Sequence, residues 1–131
     1  MTKFVIYSYA LDRMERVIIS DKVFKIPKNL EPADYFKDCF GIINNKDSEV
    51  QKVVLKVDAF QSNYIRNLPL HDSQKEKKRT DEYSIFEYHL KPEFDFEQEI
   101  FSNMDAIEVL EPLWLREEVK ERIKNLASKY L

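Results

Sequence analysis

Gly41 is the only glycine in 131 residues, so a glycine-rich phosphate-binding loop cannot be written anywhere along the chain. Cys39 is the only cysteine, which rules out an internal disulfide and agrees with a reducing cytoplasm. No apolar run approaches the roughly 18 residues of a membrane-spanning helix, and no apolar signal region follows Lys3, so no membrane partner is expected. Positive charge is not in excess either: 21 basic against 24 acidic residues give a formal net charge of −3. That balance supplies no global attraction for nucleic acid but leaves room for a local basic patch. What the chain does have is 44% hydrophobic and 34% charged residues, a globular mixture. Its length suits one domain, or one of roughly 80 residues with part of a neighbour.

The organising stretch is Val50 to Val57, where Val53, Leu55 and Val57 alternate with Lys52, Val54 and Lys56. This is the period of a half-buried strand, and it predicts an inner strand of a small sheet. Asp58 then fits the cap of a helix over residues 59 to 67, with Phe60, Tyr64 and Ile65 at helical spacing and Leu68-Pro69 as its end. Residues 70 to 80 lead into a second strand and Tyr83 to Leu90 form a third, joined through Thr80-Asp81-Glu82 as a hairpin. The charged run Lys75 to Arg79 lies on that second strand, where guarding a sheet edge explains it better than a nucleic-acid patch. After Pro92 a helix is predicted near Asp95 to Asn103, with Phe96, Ile100 and Phe101 inward, and Ala106 to Leu110 make a fourth strand. Leu115, Val119, Ile123, Leu126 and Tyr130 then mark one stripe of a terminal helix, supported by a Glu118–Arg122 pair. Residues 49 to 131 therefore read as an α+β domain, a β-α-β-β-α-β antiparallel sheet of ferredoxin-like type with helices on one face and a C-terminal helix.

Upstream, Lys3 to Tyr9 and Arg16 to Ile19 have strand character around a tight turn at Leu11 to Met14. Two strands do not make a stable sheet alone, so residues 1 to 22 are expected to be the end of a larger β-domain, absent here or supplied by another chain. Residues 23 to 48 form a connector, extended around Pro27, with a short helix opened by Glu31-Pro32. Tyr35, Phe36, Cys39 and Phe40 give that helix its apolar stripe, and Gly41 stands where a C-terminal cap is expected.

Tyr9-Ala10-Leu11-Asp12-Arg13-Met14 is similar to the aromatic-x-Leu-Asp-Arg-Ile segment near the end of the WYL domain of bacterial transcriptional regulators. The following signals, in order, resemble the C-terminal extension of that family, called WCX. They are Phe36-x-x-x-Phe40-Gly41-Ile42, Val53 to Val57, Tyr64-Ile65-Arg66, Leu70 to Gln74, and Val109-Leu110-Glu111-Pro112 ahead of Leu115 to Val119. The resemblance implies a C-terminal regulatory and dimerisation module, with residues 1 to 22 a β-ribbon left from a truncated SH3/Sm-like barrel. It implies a homodimer and a nucleotide or nucleic-acid ligand held through the WYL part. DNA would be bound only through a domain absent from this chain; neither the Trp-Tyr-Leu signature nor DNA-reading helices are in it. The alternative is a stand-alone ferredoxin-like sensor of a small molecule, and an enzyme ranks last.

By the resemblance, Arg13 and Tyr9 are the ligand-binding residues, Arg13 offering its planar fork to a phosphate. Pairing of Arg13 with Asp12 or a backbone carbonyl is the competing reading. His71 and Gln74 are expected in a structural or interface role, as are Phe4, Ile6 and Tyr7 on the ribbon. His71, Asp72 and Ser73 are expected on an extended segment, where neighbours point to opposite faces and cannot form a nucleophilic triad. His89 lacks the further close ligands that zinc needs, so no metal and no cofactor are expected. Cys39 reads as core, and Glu93, Asp95, Glu97 and Glu99 as the solvated start of a helix.

Overall fold

A computed structural model describes residues 6–131. Strands β1 (Gln51–Asp58), β2 (Lys75–Arg79), β3 (Tyr83–Leu90) and β4 (Ile107–Glu111) form one sheet in the order β2-β3-β1-β4, every neighbour antiparallel. Helices α2 (Ala59–Asn67) and α3 (Phe94–Ser102) connect the strands, and α4 (Leu113–Ala127) follows the last one. This is the expected ferredoxin-like arrangement. The alternation in β1 decides which face is covered: Val53, Leu55 and Val57 are wholly buried, whereas Lys52 is exposed and Val54 and Lys56 are partly so. Phe86, Tyr88 and Leu90 of β3 and Ile107 and Val109 of β4 join them. Ile65 of α2, Phe96 and Ile100 of α3, and Leu115 and Val119 of α4 close the core from above. Each such side chain contributes about 1.5–3 kcal/mol by leaving water.

Local signals set the element ends. The Asp58 side chain accepts a hydrogen bond from the Gln61 N–H at 2.7 Å, capping α2. Thr80 closes the β2–β3 hairpin, its N–H donating to the Tyr83 carbonyl at 2.8 Å and its hydroxyl to the same oxygen at 2.9 Å. β2 is an edge strand exposed along its whole length, and the register shifts between Glu76 and Lys78. Charge and bulge together deter pairing with another sheet.

Four expectations are corrected. On α2, Phe60 and Tyr64 are exposed and meet each other edge to face at 5.3 Å, while Ser62 and Ile65 turn inward. Ser62 is tolerated there because its hydroxyl donates to the Val57 carbonyl at 3.1 Å. On α4 the stripe is only half covered: Ile123 is 51% and Leu126 52% exposed, and Tyr130 lies beyond the last helical residue. The core of the sheet is filled by Leu115 and Val119, and the later turns run past it. Helix α1 (Pro32–Phe36) ends well before Gly41, which has no left-handed backbone to serve a cap. Its lack of a side chain matters for another reason: a Cβ there would stand 2.6 Å from Asp95 Oδ2.

The fourth correction concerns the N-terminal ribbon. Residues 6 to 22 contain a 3-10 turn at Leu11–Arg13, as the sequence suggested, but no strand. With no neighbouring sheet to pair against, two short segments gain too little to hold a ladder. Arg16 also adopts φ 54°, a left-handed conformation that interrupts extension just before Val17. The first segment's Lys3 to Val5, and Phe4 among the site residues, lie outside the described residues.

Candidate functional site

The ligand residues expected from the resemblance lie on the N-terminal segment. Tyr9 is 76% exposed, its ring 6.4 Å from that of Tyr7, and Arg13 closes the 3-10 turn, also exposed. Tyr7 and Ile6 are likewise exposed. The same segment carries Val17, Ile18 and Ile19 at 75–102% exposure, an unusual concentration of uncovered apolar surface.

His71 and Gln74 sit elsewhere, in a turn closed by the Gln74 N–H donating to the His71 carbonyl at 3.0 Å. Because the segment turns rather than extends, His71 Nδ1 and Ser73 Oγ do meet, at 2.8 Å, contrary to the sequence reading. Nδ1 accepts the Ser73 backbone N–H at 3.1 Å, which assigns the ring proton to Nε2, and Nε2 donates to the Lys37 carbonyl at 2.8 Å. The ring thus spans from the hairpin approach to the connector. Lys91 makes a second tie: its N–H donates to the Asp38 carbonyl at 2.7 Å and its ammonium to Asn44 Oδ1 at 3.0 Å. Cys39 is buried between these ties, and burial pushes its thiol up. Gln74 is a hub of hydrogen bonds: Oε1 accepts from the Tyr88 hydroxyl at 2.7 Å and from the Leu70 N–H at 3.1 Å, and Nε2 donates to the Ile65 carbonyl at 2.9 Å. Burial drives the Tyr88 phenol well above its ordinary value.

His89 is exposed beside Glu87, at 3.2 Å, and no group of three metal-ligating side chains occurs among the described residues. On the hairpin side Arg66 grips Glu76 with two hydrogen bonds of 2.9 and 2.7 Å. That guanidinium holds the Glu76 carboxyl down at about 2, against the opposing effect of partial burial.

A polar cluster that sequence reasoning missed lies between α3 and α4. Glu97 is only 5% exposed, not solvated as the acidic run suggested. It sits three residues before Ile100 and four before Phe101, hence on the inward arc of α3, and that spacing was the available signal. Arg122 Nε stands 3.0 Å from Glu97 Oε2, but the contact is not aligned as a hydrogen bond, and that buried oxygen accepts none. The expected Glu118–Arg122 pair is present at 3.9 Å. Burial pushes the Glu97 carboxyl up, Glu118 adds to the rise, and Arg122 opposes it. The cluster borders a cleft of about 530 Å³ floored by the approach to β1, the start of α3 and the first turns of α4.

A second, apolar groove of about 310 Å³ runs along the β4 edge, with Ile107, Val109, Val119 and Ile123 at its base and Arg116, Lys120 and Lys124 on its rim. Arg116 partly seals that edge, donating to the Val109 carbonyl at 2.5 Å and to Glu108 at 2.9 Å.

A search of curated proteins finds no significant match to the chain. The WCX domain family model matches residues 49–127, which takes in all four strands and helices α2 to α4. This chain therefore belongs to the WCX domain family, the C-terminal extension of WYL-type regulators.

Proposed function

We propose that the chain is the C-terminal regulatory and dimerisation module of a bacterial, cytoplasmic WYL-family transcriptional regulator, contributing to ligand sensing and to oligomerisation. The family match over the sheet domain carries this reading. In it, Arg13 and Tyr9 belong to a WYL part that binds a nucleotide or nucleic-acid ligand, and DNA is contacted only through a separate helix-turn-helix domain. The exposed Val17 to Ile19 and the half-covered α4 stripe support the association of two copies, since uncovered apolar surface of this extent calls for a partner. The module performs no turnover of its own.

Recovery of the reading frame that encodes the chain tests the proposal. A helix-turn-helix domain in the same frame ahead of residue 1 is the expected result. A frame with no DNA-binding domain would replace this reading with that of a stand-alone ferredoxin-like sensor of a small molecule.

A further inference from the structure

The face of the sheet opposite the core is crossed by two rows of side chains, because register partners share a face. From β1 through β3 to β2, one row is Lys56, Ile85 and Lys78, and the other is Val54, Glu87 and Lys75. Tyr83, two residues before Ile85, lies on the same face, and Tyr83, Ile85 and Val54 are all half-buried. Lys77 stands at the bulge between Glu76 and Lys78. Although acidic residues outnumber basic ones in the chain, Lys56, Lys75, Lys77 and Lys78 make no ion pair among the described residues. Lys56 and Lys78 gather instead at the Tyr83 ring, their ammonium groups 4.7 and 5.4 Å from its centre. Lys78 also donates to the Tyr83 hydroxyl at 3.1 Å.

Protection of the β2 edge accounts for charge on that strand. It does not account for Lys56, which lies on the inner strand β1, nor for two unpaired ammonium groups held beside an aromatic ring. The carboxylates of this face are otherwise engaged: Glu87 with His89 at 3.2 Å, Glu111 with Lys52 at 3.0 Å and Glu108 with Arg116 at 2.9 Å. The positive charge left over is therefore concentrated on the β2–β3 side, around Tyr83 and the apolar Ile85 and Val54. Lysines supply point charges for phosphates, and the ring with its apolar neighbours supplies a platform on which unstacked bases lie. A duplex keeps its bases inside and offers such a platform only its backbone.

We propose that this face of the sheet is a docking surface for single-stranded nucleic acid, with Lys56, Lys75 and Lys78 on phosphates and a base stacked on Tyr83. The surface uses none of the N-terminal residues, so the inference does not rest on the regulator reading above.

Fluorescence anisotropy of a labelled oligothymidylate, titrated with the full chain at salt concentrations between about 50 and 200 mM, tests it. The expected result is saturable binding with half-saturation at about 1–100 μM at the low-salt end. Three phosphate contacts give a slope of log affinity against log salt of about −2, at about 0.7 per contact on a single strand. Lys75→Gln and Lys78→Gln, both at exposed positions, each reduce that slope by about 0.7. Tyr83→Leu weakens binding about fivefold or more and leaves the slope unchanged. Arg13→Gln alters neither quantity. Absence of saturation, a duplex of equal length bound as tightly, or polyglutamate competing equally at matched charge would overturn the assignment. So would indifference to both lysine substitutions, or a loss with Arg13→Gln equal to that with Lys78→Gln.

Discussion

Replacing Leu115 or Ile123 by alanine separates the covered half of α4 from the uncovered half. Both residues lie on one stripe, eight positions apart, and sequence periodicity treats them alike. Leu115 is wholly buried within the core cluster, whereas Ile123 keeps 51% of its surface in water. Truncating a buried leucine costs the transfer of the lost methylenes plus the cavity left behind, about 2–5 kcal/mol. In a domain of this size each kcal/mol moves the midpoint by roughly 4–8 °C, so Leu115→Ala lowers Tm by about 8–40 °C. Ile123→Ala forfeits only its covered part and leaves a groove rather than a cavity, so its cost stays below about 1 kcal/mol. Aspartate sharpens the contrast: Leu115→Asp puts an unpaired charge in the core and prevents folding, and Ile123→Asp leaves the fold intact. Thermal unfolding followed by circular dichroism reads both. Equal losses at the two positions would refute the half-covered stripe.

Three further outcomes follow from the polar contacts. Gln74→Ala strips the Tyr88 hydroxyl, the Leu70 N–H and the Ile65 carbonyl of their partner and costs about 1–3 kcal/mol more than Tyr88→Phe, as chemical denaturation would show. Glu76 is held at about 2 in the folded chain, below the unfolded carboxylate near about 4.3, so its contribution is full above that upper value. It is lost as pH falls through about 2, and Arg66→Gln flattens this part of the Tm–pH curve. Glu97 is shifted the other way, so its ionisation opposes folding; Glu97→Gln raises Tm at pH 7, and the gain vanishes below about pH 4. A Glu97→Gln gain that persists at low pH would show that size, not charge, is responsible.

The sheet was legible because its strands announce themselves locally. Alternation in β1, the capping Asp58 and the turn at Thr80 each act over a few residues, and the observed ladder follows from them. The uncovered turns of α4 were not legible, since a periodic stripe says which residues share a face but not how far the facing layer extends. Gly41 and the His71–Ser73 contact are similar cases: the first answers to Asp95, more than fifty positions away, and the second to a turn tied to the connector through Lys37. Of the site, the Glu118–Arg122 pair was readable from its spacing. Glu97 was hidden by the acidic run around it, although its offset from Ile100 and Phe101 carried the clue.

Association of two copies through the N-terminal segment is the part of the proposed regulatory reading that a single solution measurement tests. Light scattering of the full chain and of a version lacking residues 1–22 measures it directly. The account predicts twice the chain mass for the first and a single chain mass for the second. A monomeric full chain, or a dimer that survives the deletion undiminished, would contradict it.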